Sequence, residues 1–430
     1  MKISGLFSAL SGQIAKDFIR CSKYTPTPLS LKKFVQFGEN ARPSESFNFL
    51  KKELPVRLAN IMQEILLLPD NLHETSHVKF VIGLYEKSFT ELLQFENLKS
   101  DLSTVQSFTD CIANIRERHN SVVETTAQGV MEVKENFGID ASTEMQFQYF
   151  LDRFFINRIS IRMLISQHVS LFGSQVNRNL KFIGIIDSQT NILEILADAY
   201  DNAANLCKHY YGVSPEIRVT VINHDSKSSN SKKVSIKQWN CLDRDSLEEC
   251  AKHRVIDMYY IPSHLYHMSF ELLKNALRAV VECHHLSDTL PPVNVLVCGA
   301  QENMTIKILD CGGGIPHSLM DLVFKYTFTT AKQSPSTTSL MSNSVPMAGY
   351  GYGLPLSRLY ARYFNGDLTL SSVEGFGTDA IIYLRRKPDE ADELLPIFNK
   401  TSARQYTNSA IPAADWSNPH FRSGLYYMTS

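Results

Sequence analysis

The segment HMSFELLKNALRAVVE, residues 267 to 282, sets an acid, an amide and two bases among apolar neighbours at helical spacing. On a helix, residues four apart share a face, so His267, Glu271 and Asn275 form one stripe and Lys274 and Arg278 a neighbouring one. A carboxylate beside a histidine, with an amide one turn on, suits a general base, its orienting partner and a magnesium ligand. Magnesium keeps several waters and takes few protein ligands beside phosphate oxygens, so a single Asn275 oxygen can anchor it. The same stripe on a surface helix would be an ordinary solvated face. Against that, Phe270, Leu272, Leu273, Ala276, Leu277, Ala279 and Val280 leave little of this helix for water.

Two glycine clusters fit the same chemistry. NMTIKILDCGGGIP, residues 303 to 316, alternates apolar residues through Ile308 and places Asp310 at a strand end before Gly312, Gly313 and Gly314. A flat ligand can approach such backbone closely, and the carboxylate can accept from the exocyclic amine of a purine; alone, the run is equally a turn. AGYGYGLPLSRLYARYFNGD puts Gly349, Gly351 and Gly353 before a helix carrying Leu356, Leu359, Tyr360 and Tyr363 that stops near Gly366. Amides at a helix start cradle phosphates, although a glycine triplet alone is weak evidence. EGFGTDAIIYL turns at Gly375 and Gly377 and enters a strand through Thr378, whose hydroxyl could complete a purine contact.

These residues need elements to position them. A chain of 430 residues exceeds what one core usually serves, and 43% hydrophobic with 20% charged residues marks an ordinary globular protein of about two domains. After TPTPLS, the residues Leu58, Ile61, Met62, Ile65 and Leu66 trace one buried helix face that Pro69 and Asp70 end, and amphipathic stretches follow over roughly 77 to 95, 101 to 133 and 143 to 172. This half predicts an antiparallel helical bundle. NILEILADAYDNAANLCKHYYG predicts one more helix, ended by Gly212, after which EIRVTVI and VNVLVCG read as strands between helices. Residues 223 to 252 are rich in Ser, Asn, Lys and Asp and read as an exposed loop, and 391 to 430 as an extended tail.

The net charge of −1 provides no basic field for nucleic acid, and no apolar run is long enough to span a membrane. Eight scattered cysteines without a CxxC pair disfavour a zinc ribbon or a secreted disulfide frame. The first residues carry Lys2, Lys16, Arg20 and Lys23 against one acid, with Ile3, Leu6, Phe7, Leu10 and Ile14 at helical spacing, which resembles a mitochondrial presequence; the other reading is a frayed basic terminus.

An Asn-bearing helix, a strand-end Asp with glycines, a glycine-rich lid and a Gly-Thr strand, in that order, resemble the ATPase fold shared by histidine kinases, type II topoisomerases, the heat-shock chaperone and mismatch-repair ATPases. The likeness extends to ELPVRLANIMQEILLLPDNL, IRERHN, YFLDRFFINRISIRMLISQH, IPSHLYHMSFELLKNALRA, AGYGYGLPLSRLYARYFNGDL and the ADW tail. Together they resemble the mitochondrial pyruvate dehydrogenase kinases from about residue 24 to 420. The resemblance implies an α plus α/β protein: a presequence over 1–23, a regulatory and lipoyl-docking bundle over 24–185, a histidine-kinase-like ATP-binding α/β sandwich with a mixed sheet over 186–390, and a cross-over tail over 391–430. It implies an ATP- and Mg²⁺-dependent serine kinase of the mitochondrial matrix. Its target would be the alpha subunit of pyruvate dehydrogenase, whose phosphorylation inactivates that complex and restrains glucose oxidation. Homodimerisation and binding to the lipoyl domain of the dihydrolipoyl acetyltransferase core are implied as well.

Carried over residue by residue, Glu271 is the base, His267 its partner and Asn275 the metal ligand. The nucleotide contacts would be Glu271, Leu272, Leu273, Lys274, Asn275, Ala276, Leu277, Arg278, Asp310, Gly312, Gly314, Thr329, Thr330, Gly349, Tyr350, Gly351, Tyr352, Gly353, Leu354 and Thr378. Arg116, His119, Arg158, Ile161 and Arg162 match a pyruvate and dichloroacetate site, and guanidinium groups can hold a small carboxylate; internal ion pairing of the bundle is the alternative. Asp415 and Trp416 match a dimer-bridging Asp-Trp motif, or the Trp packs on its own subunit. The chain departs from the family at Cys311, commonly Arg, at Asn157, commonly Ser, and in its longer 223–252 segment. The rivals are the kinase of the branched-chain 2-oxoacid dehydrogenase and a catalytically silent adaptor on the lipoyl-bearing core. In a true histidine kinase, His168 of the bundle would be the phosphate acceptor.

Overall fold

The computed structural model describes residues 12–68, 70–138, 140–173, 181–225, 235–241, 243–252, 256–287, 289–329, 351–399 and 402–403. The helical half comprises α1 (Gly12–Cys21), α2 (Leu31–Glu39), α3 (Pro43–Ile65), the short α4 (Asp70–His73), α5 (Ser76–Leu93), α6 (Leu102–Arg118), α7 (Val122–Phe137) and α8 (Ala141–Phe172). Local chemistry starts four of them: Ser30, Thr75, Asp101 and Asp140 each accept from the amide three residues on, satisfying one of the unpaired first-turn donors. α3 packs on α5 and α8, α5 on α7, and α6 on α8. Phe47, Phe89, Phe108, Phe154 and Phe155 fill the space between them, Phe47 meeting Phe108 edge-on at 5.1 Å.

The second half begins with β1 (Phe182–Ile183) and β2 (Ile186–Asn191), then α9 (Ile192–Tyr211), β3 (Ile217–Asp225), β4 (Ser235–Cys241), α10 (Arg244–Lys252), β5 (Asp257–Tyr260), α11 (Pro262–Cys283), β6 (Val293–Gly299) and β7 (Asn303–Leu309). It closes with α12 (Gly353–Tyr363), β8 (Asp367–Val373) and β9 (Gly377–Arg385). Six strands form one sheet in the order β4-β3-β6-β7-β9-β8, mixed because β3 and β6 run parallel while every other pair is antiparallel. Leu273, Leu277 and Val280 of α11 share a core with Leu193 and Leu196 of α9 and with Val219, Val295, Ile306 and Ile382 of the sheet. Gly212 ends α9 at φ 79°, in the left-handed conformation that glycine adopts without steric cost.

Three expectations change. The stretch from 101 to 133 is two helices: the chain breaks after Arg118, where the buried His119 bonds Ser88 Oγ and its carbonyl accepts from Arg158 Nη2 at 2.8 Å. Residues 223 to 252 are not one loop: β3 runs to Asp225, β4 pairs beside it as the sheet edge, and α10 follows. Few apolar residues suffice there, because Leu247 is fully buried and Arg244 forks onto Asp201 of α9 at 2.8 and 2.9 Å. Residues 12–21, within the expected presequence, form α1, whose Phe18 and Cys21 are buried in the bundle core, Phe18 meeting Phe89 edge-on. β1, finally, precedes the expected domain boundary at 186 and pairs with β2 across it.

The tail does not simply lead away. Glu393 is buried against α3, accepting from Arg57 Nη1 at 3.2 Å and Nη2 at 3.0 Å, from the Leu29 amide at 2.9 Å and from the Tyr363 hydroxyl of α12. Arg57, fully buried, also bonds Glu53 at 2.8 Å and the Thr27 carbonyl. Removing one partner leaves the other charge without solvent. Glu393→Ala is therefore expected to cost about 3–5 kcal/mol in urea unfolding, and the triple variant Glu53→Gln, Arg57→Met and Glu393→Leu, which leaves no buried charge of this group unpaired, to recover most of that loss; equal losses in both variants would count against this account.

Candidate nucleotide and catalytic site

α11 brings the polar stripe of residues 267 to 278 to the edge of the sheet layer. Lys274, buried, pairs with Glu271 at 2.8 and 2.9 Å, one helical turn away, and its ammonium lies 5.5 Å from the Phe270 ring centre. Asn275 is half-buried, and its amide makes no side-chain hydrogen bond among the described residues. His267 lies one turn before Glu271 but makes no direct bond to it, and its Nε2 is buried without a protein partner among the described residues. Burial pushes the His267 ring below its ordinary range, the neighbouring Glu271 charge opposing that shift and Lys274 reinforcing it.

The carboxylate of Glu271 is pressed against the start of α12: a Cβ on Gly353 would overlap Glu271 Oε2. Only glycine lets the backbone come this close. The preceding Tyr352 provides no side-chain cap, so the first amides of α12 are left for another acceptor beside that carboxylate. Asp310 follows β7 directly and takes two bonds on one oxygen, Oδ1, from the Gly312 amide at 2.9 Å and the Thr378 amide at 3.3 Å. No bond to Oδ2 is made among the described residues. Burial raises the Asp310 carboxyl above its ordinary range, and the two amides oppose the shift. The Thr378 hydroxyl meets Ser372 Oγ at 3.0 Å.

Glu271, Asn275, Asp310, Gly312, Gly353 and Thr378 thus gather where α11, the β7 end, the β9 start and α12 converge. Other expected positions serve packing. Leu272, Leu273, Ala276 and Leu277 are buried in the domain core, Tyr352 turns its ring onto Phe155 and Tyr326, and Gly312 and Gly314 lie so close to Ala279 and Val373 that a Cβ would collide. Leu354 is half-buried and packs against that core, Gly351 holds φ 86°, Thr329 is exposed, and Arg278 pairs with Glu282 at 2.8 Å. Thr330, Gly349 and Tyr350, like Asp415 and Trp416, lie outside the described residues. The direct Glu271 to Lys274 pair was readable from the i, i+3 spacing. The insertion of Tyr360 between His264 and His267, at ring separations of 4.7 and 4.9 Å, has no sequence signal.

A second polar cluster lies inside the bundle. Arg162 Nη1 bonds the Arg116 carbonyl and Asn120 Oδ1, each at 3.1 Å, while Arg158 Nε and the fully buried Tyr85 hydroxyl have no hydrogen-bond partner among the described residues. Burial, with Arg158 and Arg116 nearby, lowers Arg162 to about 10. Ile161 is packed in the bundle core, and Asn157 is buried with Oδ1 unpartnered. Tyr85 and Ser88 belong to this cluster from α5, and nothing in their local sequence marks them.

His168 is sealed among apolar residues at 1% exposure, with Ser46 Oγ 2.7 Å from Nδ1 and Thr109 Oγ1 2.9 Å from Nε2. A side chain so enclosed offers no nitrogen to a phosphoryl group.

Residues 260–388 match the family described as histidine kinase-, DNA gyrase B- and HSP90-like ATPase, and residues 28–187 match that described as mitochondrial branched-chain alpha-ketoacid dehydrogenase kinase. The fold and these matches thus define a kinase built from a helical half and a histidine-kinase-like ATPase half. A [pyruvate dehydrogenase (acetyl-transferring)] kinase of Drosophila melanogaster is 49% identical over 421 residues, covering 96% of this chain and 95% of its own. Isozyme 3 of Mus musculus is 45% identical over 417 residues, covering 96% and 94%, and the Ascaris suum kinase 42% identical over 413 residues, covering 96% of each. The chain belongs to the mitochondrial pyruvate dehydrogenase kinase family.

Burial lowers His119 and His168 to about 4. The unfolded chain binds protons at both near pH 6.5 while the folded chain does not, so their contribution is present above that pH and is lost as pH falls toward 4. Urea midpoints are expected to drop between pH 7 and pH 5, with a shallower drop in His168→Gln; an unchanged pH slope in that variant would remove His168 from the account.

Proposed function

We propose that this chain transfers the γ-phosphate of ATP to serine on the alpha subunit of the mitochondrial pyruvate dehydrogenase complex. The observation that carries the reading is the Glu271 carboxylate lying against the uncapped start of α12. A hydroxyl acceptor needs a carboxylate within reach of its proton, and a triphosphate needs amide donors and charge neutralisation at the same place. The family membership supplies the target, favouring it over the branched-chain complex and over a silent adaptor, which has no use for a base.

Asn275 would hold Mg²⁺, since its amide is free of side-chain partners beside the carboxylate; bound there, the ion would neutralise charge on the transferring phosphate. No group of three or more His, Cys, Asp or Glu stands ready as a metal cage among the described residues. That fits an ion held mainly by phosphate and water. The Gly353 and Leu354 amides bind phosphate oxygens, Asp310 Oδ2 accepts from the purine amine, and Glu271 accepts the serine proton. Lys274 holds Glu271 in place and His267 lines the same face of α11.

Arg158, Arg162 and Arg116 with His119, Ile161 and Tyr85 take a small carboxylate such as pyruvate or dichloroacetate, because two unpartnered buried donors need an acceptor. The enzyme works in the matrix as a homodimer, with Asp415 and Trp416 reaching the second subunit, and docks on the lipoyl domain of the acetyltransferase core.

With labelled ATP and the purified pyruvate dehydrogenase complex, acid-stable label is expected on the alpha subunit, and Glu271→Gln should lower transfer by roughly 10²- to 10⁴-fold with ATP binding retained. Acid-labile label confined to this chain would defeat the reading. Arg158→Ala is expected to abolish inhibition by dichloroacetate without changing uninhibited turnover; equal inhibition of variant and wild type would place the carboxylate elsewhere.

A further inference from the structure

Cys241 ends β4 and Cys250 lies in the last turns of α10, and their sulfurs are 2.9 Å apart. The Cys241 thiol, 1% exposed, points its S–H at Cys250 Sγ, while Cys250 is half-buried and reachable from solvent. A disulfide needs the sulfurs at about 2.05 Å, so less than about 1 Å of movement separates the two thiols from a bond. Both ends are held in place. Cys241 is registered opposite Val219 of β3. α10 is fastened by the buried Leu247, the Arg244 to Asp201 fork and the bond from Asn191 Nδ2 to the Ala251 carbonyl at 2.7 Å.

No other pair of thiols is hydrogen-bonded among the described residues; Cys283, the one exposed thiol, has no thiol hydrogen-bond partner there. Exposure alone would therefore make Cys283 the first site of oxidation, whereas geometry makes the 241 and 250 pair the reversible one.

We propose that Cys241 and Cys250 form a reversible dithiol site that is oxidised by hydroperoxides, independently of the phosphoryl-transfer site. Cys250, the accessible thiol, attacks as thiolate: its sulfur bonds one peroxide oxygen, the O–O bond breaks, and hydroxide or alkoxide leaves. Cys241 sulfur then bonds Cys250 sulfur, the S–O bond of the sulfenic acid breaks, and the Cys241 proton leaves with the departing hydroxide as water. Each sulfur is oxidised by one electron and the peroxide is reduced by two. Burial, with Cys250 beside it, pushes the Cys241 thiol up to about 12, which suits the partner that keeps its proton until the second step. The ring that closes spans only residues 241 to 250, so little chain entropy opposes it.

The test treats the full-length protein with graded hydrogen peroxide, caps remaining thiols by alkylation and maps peptides by mass spectrometry without reduction. A crosslinked 241 and 250 peptide, two hydrogens lighter and reversed by dithiothreitol, is expected to reach completion before any other cysteine forms a disulfide. Cys241→Ser should leave Cys250 trapped as a sulfenic acid that a dimedone probe captures. In wild type, sulfinic acid at Cys250 without the crosslink, or a disulfide from either residue to a different cysteine, would overturn the proposal. The wild-type measurement stands even if the variant folds poorly.

Discussion

The contact between the Glu271 carboxylate and the backbone of Gly353 is the constraint on which the site depends. It joins the polar face of α11 to the first turn of α12, so that a negative side chain and unpaired amide donors occupy one place. Those two groups would repel and attract the same phosphate. Lys274, buried and paired with Glu271, resolves this by holding the carboxylate in one position and offsetting its charge. The glycine preserves the contact because a Cβ at this position would displace the Glu271 carboxylate from it.

That contact in turn relies on how α12 is seated. One side packs on α8 of the bundle, and the other meets α11 and the sheet. The seat is reinforced at its far end, where the Tyr363 hydroxyl bonds Glu393 and Glu393 pairs with Arg57 of α3. Along residues 324 to 327, α8 adds a ladder of its own. Glu144 bonds Lys325 and Thr327, Gln148 bonds the Phe324 carbonyl and the Tyr326 amide, and Asp152 accepts from the Tyr326 hydroxyl at 3.0 Å. Residues at i, i+4 and i+8 on one helix thus grip one strip of the ATPase half. The two halves meet through part-buried polar bonds with fixed geometry, a stricter joint than apolar packing alone.

The bundle cluster around Arg158 follows the opposite logic. Arg116, Arg118, Arg158 and Arg162 come from two helices, and among the described residues Arg118 alone of the four pairs with a carboxylate, that of Glu91. The Tyr85 hydroxyl and Arg158 Nε stay without partners. Buried donors left in this way are costly, and an anion from outside would offset that cost. The same accounting explains why His168 is inert: both of its nitrogens are already satisfied by hydroxyls.

By itself the sequence determined what local periodicity and short motifs encode. The polar stripe of α11, the strand end at Asp310, the glycine entry to α12, the left-handed stop at Gly212 and the order of the four nucleotide motifs were all legible, because each depends on neighbours within a turn or two. Tertiary structure decided the rest. Which side of α11 is spent on core, so that Leu272, Leu273, Ala276 and Leu277 pack inside while Glu271 and Asn275 remain at the site, depends on where the sheet lies. The fate of His168, the break at His119, the folding of residues 235–252 onto a sheet edge and the burial of α1 also come from partners far away in the chain. Such contacts leave no period in the sequence: packing and hydrogen-bond satisfaction are properties of surfaces that meet only once the chain has folded.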